Sequence, residues 1–225
     1  MVSYDLHLRR GIDGSRFSLQ LFQTAYHRAT EKQPWIKRMK RHFNTHIEGI
    51  DLDFWHSLIE RHGKYTSLNR GDFICRKGEP TNIVGYVKSG YLIYTIAGVG
   101  KIGGFTFPYA LFGDYPNCMH NLPAQFDIMA GKKSEVWMMD ATILPELYNK
   151  DIETNVQVHK FSEAAYNSLI HRYCSLLAGS PIDRYRYLLE EHPQIEQDLP
   201  QKEIAEYLQI SPTYLCRLRK ERLDQ

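Results

Sequence analysis

Gln201-Lys-Glu-Ile-Ala-Glu-Tyr-Leu208, then Gln209-Ile210, then Ser211-Pro-Thr-Tyr-Leu-Cys-Arg-Leu-Arg-Lys220 is the stretch on which the reading of this chain turns. Pro200 opens a first helix, Ser211 is a good N-cap and Pro212 suits the first position of a second, so two short helices follow one another almost without a loop. Ile204, Ala205, Leu208, Ile210, Leu215 and Leu218 are what two crossed helices would bury against each other and a third, with Ala205 small at the close approach. Thr213, Tyr214, Cys216, Arg217, Arg219 and Lys220 are left outside, a polar and basic face such as a helix entering a DNA major groove presents. Arg217 has the fork geometry to reach guanine O6 and N7. The plainer alternative is a helical hairpin with a solvated, arginine-rich face.

Working outward, Pro181 to Glu191 reads as one further helix, broken by His192-Pro193, and Ala178-Gly-Ser-Pro181 makes the best domain boundary. Before it, Ile152 to Leu177 is the longest helical segment, in which Tyr166, Ile170, Tyr173 and Leu177 step by four, three and four, the spacing of a coiled-coil seam. Periodicity alone leaves open whether that stripe meets a second copy or the chain's own sheet.

Further upstream the period changes to that of strands. Tyr65 to Leu68, Asp72 to Arg76, Ile83 to Val87 and Tyr91 to Ile96 are β-branched and aromatic runs, separated by Asn69-Arg70-Gly71, Lys77-Gly78 and Ser89-Gly90. Gly103 to Phe107, Phe126 to Met129 and Glu135 to Met139 continue the pattern, so an antiparallel barrel is expected from about Lys64 to Asp140, with a short helix over Ile50 to Arg61 ahead of it. Residues 1–38 carry seven Arg and Lys against Asp5, Asp13 and Glu31 and read as a basic extension with a short amphipathic helix through Phe17, Leu21, Ala25 and Arg28.

The chain has 225 residues, 43% hydrophobic, enough for a substantial core, and its net charge of +2 is too mild to show a nucleic-acid partner by itself. No run approaches the length of a membrane helix and the N-terminus lacks the apolar core of a secretory signal, so a cytoplasmic protein without membrane partners is expected. The four cysteines, Cys75, Cys118, Cys174 and Cys216, are too scattered for a metal motif, and the histidines form no HxH or HExxH pair. No metal, cofactor or catalytic residue is expected. An enzyme on a cupin-like barrel would need a His/Glu set in the strands, where His120 is the one histidine between Lys64 and Asp140.

From about Ile50 to Lys220 the sequence resembles the Crp/Fnr family of transcription regulators. The Gly71-Asp72 and Gly78-Glu79 turns, the run Gly85-Tyr-Val-Lys-Ser-Gly90 before a strand, the long helix and the order of the C-terminal helices carry the resemblance, and Arg186-Tyr-Leu-Leu-Glu-Glu-His-Pro193 with the two helices quoted first is its most specific part. It implies an α+β fold: an antiparallel β-roll or jelly-roll barrel, a long dimerisation helix and a C-terminal helix-turn-helix domain. The boundaries expected are 1–38 for the extension, 39–145 for the sensor domain with flanking helices, 146–178 for the dimerisation region and 179–225 for the DNA-binding domain.

The resemblance further implies a homodimer on double-stranded DNA, with RNA polymerase as a partner and an unidentified small molecule as effector. Pro212, Thr213 and Arg217 fall where the family reads bases and Tyr214 where a phosphate contact is usual; Gln201, Ser211, Arg219 and Lys220 complete the expected DNA surface. The dimer interface would use Tyr166, Ile170, Tyr173 and Leu177. Two departures stand out: Gln209 occupies a turn position that commonly holds Gly, and the phosphate cassette is degenerate. The corresponding residues are Gly113, Asp114, Pro123, Ala124 and Gln125, and no Lys or Arg lies between Gly113 and Met129, so cyclic AMP is not expected as the effector. The competing reading is a ligand-binding barrel whose C-terminal helices bind a protein partner.

Overall fold

In the computed structural model, which describes residues 49–96 and 101–223, helix α1 (Leu52–His62) leads into eight strands: β1 (Gly63–Leu68), β2 (Phe73–Cys75), β3 (Ile83–Ser89), β4 (Leu92–Ile96), β5 (Lys101–Thr106), β6 (Leu111–Gly113), β7 (Asp127–Ala130) and β8 (Ser134–Asp140). Helices α2 (Leu144–Lys150), α3 (Ile152–Ala178), α4 (Pro181–Glu191), α5 (Ile195–Asp198), α6 (Gln201–Leu208) and α7 (Pro212–Leu223) follow. The basic extension expected over residues 1–38 lies outside the described residues. The expected strands fall within a residue or two of those observed; β6 and α5, of three and four residues, are additions.

The strands form two antiparallel four-stranded sheets, ordered β1-β8-β3-β6 and β2-β7-β4-β5. This corrects the expected barrel in one respect: among the described residues no strand ladder joins the sheets, so the barrel is not closed. The β2–β3 and β6–β7 connections instead run side by side through isolated bridges at Lys77–Ala124 and Pro80–Pro123. The neighbouring β2 is three residues long and bulged between Phe73 and Cys75.

Side chains fill the space between the sheets. Val87, Leu92, Phe112, Ile128, Ala130 and Val136 are all buried there, with Tyr94 and Met138 packed against them. Gly85 on β3 makes this possible, because a Cβ at that position would stand 2.5 Å from the Phe112 ring and 2.1 Å from the Trp137 carbonyl oxygen. Phe112 lies in the volume that residue 85 gives up.

Helix α3 starts well: the Asp151 carboxylate accepts from the Thr154 hydroxyl, from Thr154 N and from Glu153 N, which pulls its own pKa below the usual carboxylate range. Its first half packs on the β domain, where Phe161 meets the rings of Trp55 and Tyr115 and the Tyr115 hydroxyl bonds Ser162. Beyond Ala164 the helix continues with its apolar stripe uncovered.

A further apolar cluster crosses the boundary at Gly179. It joins Tyr91, Ile93, Ile102, Phe105 and Phe107 of the β4–β5 sheet to Tyr185, Leu188, Ile195, Leu199, Ile204, Ala205, Leu208, Leu215 and Leu218 of the C-terminal helices. No helix among the described residues is long and apolar enough to cross a membrane.

Candidate nucleic-acid interface

Helix α6 ends in a tight reversal. Gln209 takes the left-handed conformation (φ 55°, ψ 46°), its N–H bonds Glu206 O, and Ile210 N bonds Ala205 O at 3.0 Å, the paired bonds that close a helix through a residue favoured to be Gly. Gln209 tolerates that backbone at a cost of about 1 kcal/mol. The carbonyl of Leu208, left without an intrahelical donor, is taken by the Arg184 guanidinium through Nε and Nη2 at 3.2 and 3.0 Å. Helix α7 then starts on Ser211, whose Oγ accepts from Tyr214 N at 3.1 Å. The first helix of the pair is thus capped by a charge from α4, and the second by its own serine.

The two helices bury Ile204, Ala205, Leu208, Leu215 and Leu218, each at 2% exposure or less, and Ile210 packs at the margin. Of the residues expected on the outer face, Ser211, Pro212, Thr213, Cys216, Arg217 and Lys220 are exposed and Tyr214 is half-buried. The Arg217 guanidinium lies 4.5 Å from the Tyr214 ring centroid and Nε is 3.7 Å from Glu221, a loose arrangement that leaves its fork available. Gln201, at the start of α6, donates to Pro212 O and lies 2.7 Å from Cys216 Sγ, so it ties the two helix starts together. Gln201, Lys202, Pro212, Thr213 and Cys216 line one open concavity.

Arg219 departs from the expectation. It turns inward to Glu196, which also accepts from Tyr185 and, at 3.1 Å, from Arg222. With two guanidiniums and a phenol around it, the Glu196 carboxyl stays below its ordinary range although burial opposes this. Glu196 sits on α5, a helix too short to show in the sequence, and that is why the pairing was illegible there.

The residues of the degenerate cassette come together and take up one another's donors, while the buried Asp114 Oδ1 has no hydrogen-bond partner among the described residues. Asp114 is 1% exposed; its Oδ2 accepts from Gln125 N and from Asn117 Nδ2, and Asn117 Nδ2 also donates to Pro123 O. Gly113 N is taken at 3.2 Å by the Tyr94 hydroxyl, whose pKa burial pushes up to about 12. Ala124 N bonds Glu79 O. The backbone donors that could cradle an anion at Gly113, Ala124 and Gln125 are therefore all occupied, one of them by a carboxylate.

The expected dimer stripe is exposed: Tyr166 63%, Ile170 40%, Tyr173 57% and Leu177 69%, with Leu169 at 62% beside them. Among the described residues no group of three His, Cys, Asp or Glu side chains is placed to hold a metal.

No family model matches the chain, and no curated protein matches it. Solved structures do. FixK2 from Bradyrhizobium japonicum is similar at a TM-score of 0.59 and 17% identity, over 71% of this chain and 83% of that one. CLP from Xanthomonas campestris, described as a c-di-GMP responsive global regulator, gives 0.57 at 13% identity, over 77% and 92%. A protein from Eubacterium rectale assigned to the Crp/Fnr family of transcriptional regulators gives 0.57 at 18% identity, over 75% and 82%. Two facing antiparallel sheets, a long helix and a terminal group of helices in this order are the fold of Crp/Fnr regulators, and this chain has it.

Proposed function

We propose that this chain is a sequence-specific DNA-binding transcription regulator of Crp/Fnr type, working in the cytoplasm as a homodimer. The observation that carries the reading is the α6–α7 pair: Ile204, Ala205, Leu208, Leu215 and Leu218 are used inward, while Pro212, Thr213, Cys216, Arg217 and Lys220 face out. A solvated helical hairpin has no need for Gln201 to bind the start of the second helix, whereas a major-groove reader needs both helix starts held at one phosphate backbone.

In this reading Pro212, Thr213 and Arg217 meet base edges, and Gln201, Ser211, Tyr214 and Lys220 meet phosphates. The stripe from Tyr166 to Leu177 joins two copies, so the recognition helices enter successive major grooves of a near-palindromic site. RNA polymerase is the partner through which such a protein acts at a promoter. The effector is not a cyclic nucleotide, because the cassette donors are spent on Asp114 and Tyr94.

Selection of binding sites from random duplex DNA, followed by a salt-dependent mobility shift, tests the reading. It predicts a selected sequence with two half-sites about 10 bp apart centre to centre. Recovery of no sequence and no shift at low salt would remove it.

A further inference from the structure

Helix α3 has two faces along its length. Thr154, Gln157, Val158 and Ala164 are buried, Val158 in the core that holds Trp55 and Met119. On the opposite side Ile152, Val156, Tyr166, Ile170, Tyr173 and Leu177 are exposed, and they keep a seven-residue repeat. Ile152, Tyr166 and Tyr173 share one seam position, and Val156, Ile170 and Leu177 share the other. The same repeat puts His159 and Glu163 at the two seam positions between Val156 and Tyr166. The stripe is thus apolar at both ends and polar for one heptad.

His159 Nε2 stands 4.0 Å from Glu163 Oε1 one helical turn away, and the two side chains are 79% and 68% exposed. Lys160, next in sequence, is exposed and keeps its ammonium in water. Among the described residues no three His, Cys, Asp or Glu side chains of one chain are placed to hold a metal, so this pair is at most half of a tetrahedral set. In a two-fold dimer joined along the stripe, like seam positions meet in layers about 6 Å apart along the axis, and two imidazoles and two carboxylates face one another. Left alone, these four groups lose water inside an apolar seam, which is costly. A dication offsets that cost, because two carboxylates balance its charge and two neutral imidazoles complete the donors. Nitrogen and oxygen donors in equal number suit zinc and its neighbours in the first transition row, whereas magnesium and calcium take oxygen ligands.

We propose that His159 and Glu163 of two copies of this chain together bind one transition-metal dication of the zinc class, which fastens the α3 seam ahead of Tyr166. The proposal rests on the homodimer reading above, since each chain supplies half of the ligands. A cation held by the dimer and not by the single chain strengthens association by mass action. Metal binding and dimerisation are therefore one equilibrium, and either can be read through the other.

The test measures the dimer dissociation constant of the full chain by sedimentation, first with a chelator and then with zinc or magnesium. Zinc at about ten times its own dissociation constant should tighten the dimer on the order of tenfold, with one metal bound per two chains, and magnesium should do nothing. Cobalt(II) in place of zinc should give the strong visible bands of a tetrahedral site. His159→Gln/Glu163→Gln keeps a polar seam without the ligands, and should lose both the zinc response and the cobalt bands. His159→Leu/Glu163→Leu completes the apolar stripe, and should dimerise more tightly than the metal-free parent and ignore zinc. A zinc response that survives in the Gln variant, or a parent dimer indifferent to zinc, overturns the metal site and leaves the dimer standing. A parent and a Leu variant that stay monomeric under every condition overturn the dimer as well.

Discussion

The Tyr91 hydroxyl donates a buried 2.8 Å hydrogen bond to Glu203 Oε2 across 112 residues of chain, linking the β3–β4 turn to the first turn of the helix that precedes the recognition helix. Around it Phe105 meets Tyr207, the Phe107 ring stacks on His192, and Arg172 lies over the Tyr207 ring while donating to the Tyr207 carbonyl. The C-terminal helices are therefore set on the β sheet by aromatic contacts, with one buried hydrogen bond fixing their register.

Removing that bond should be costly. Tyr91→Phe leaves the buried Glu203 carboxylate with Arg70 as its remaining partner and should cost about 1–3 kcal/mol, measured by denaturant unfolding. Burial pushes the Glu203 carboxyl above its ordinary value, against the opposing pull of Tyr91 and Arg70. A carboxyl raised on folding holds extra protons in the native state, so its contribution is full below the unfolded pKa and is lost as pH rises through the folded one. Glu203→Gln keeps an acceptor and removes the titration. Its melting temperature should gain on the parent as pH rises through the mildly acidic range, and parallel curves would show that Glu203 does not titrate with folding.

Arg217 and Lys220 should fail differently. Arg217→Ala should cost about 1–3 kcal/mol on the selected site and relax preference at one position per half-site. Lys220→Ala should weaken every sequence alike and lower the salt slope by about 2, one phosphate contact from each protomer. Equal effects of the two variants on selected and random duplexes would refute the division of labour.

Along α3, Ile170 is 40% exposed in a stripe whose other members are more exposed still. Ile170→Asp would put an unpaired charge into the interface between two copies. Light scattering should give a dimer for the parent and a monomer for the variant, with the circular dichroism spectrum of each unchanged. A monomeric parent at high concentration removes the dimer and the two half-sites with it.

The cysteines divide into two pairs. Burial raises the Cys75 thiol to about 11 and the Cys118 thiol to about 12, and both lie within the β domain, whereas Cys174 and Cys216 are exposed. Cys216 of the native protein should therefore react with a thiol reagent, whereas Cys75 and Cys118 should react only after unfolding. Duplex DNA should slow labelling of Cys216, which shares a concavity with Gln201 and Pro212. Unchanged labelling of Cys216 in the complex would move the DNA off this face.

Calorimetric titration with cyclic AMP and cyclic GMP should show no binding at millimolar nucleotide. The anion would have to displace Asp114 from Gln125 N and Tyr94 from Gly113 N, without a Lys or Arg between Gly113 and Met129 to pair with. Micromolar binding lost on changing Gln125 would show that Asp114 yields.

What the sequence determined was whatever a few neighbouring residues decide together. Pro181 and Pro212 at first helical turns, Ser211 as a cap, glycine turns between β-branched runs and the spacing from Tyr166 to Leu177 each act within a turn or two of chain. The bounds of α4 and α6, and nearly those of α3, were accordingly legible. The tertiary structure alone decided the contacts between distant faces. It sends Arg219 to Glu196 rather than to solvent, spends the cassette donors on Asp114 and Tyr94, and seats Glu203 under Tyr91. The physical reason is range: caps and periodicity act over a few residues, whereas a buried polar group takes whichever partner packing brings within about 3 Å, whatever their separation in sequence.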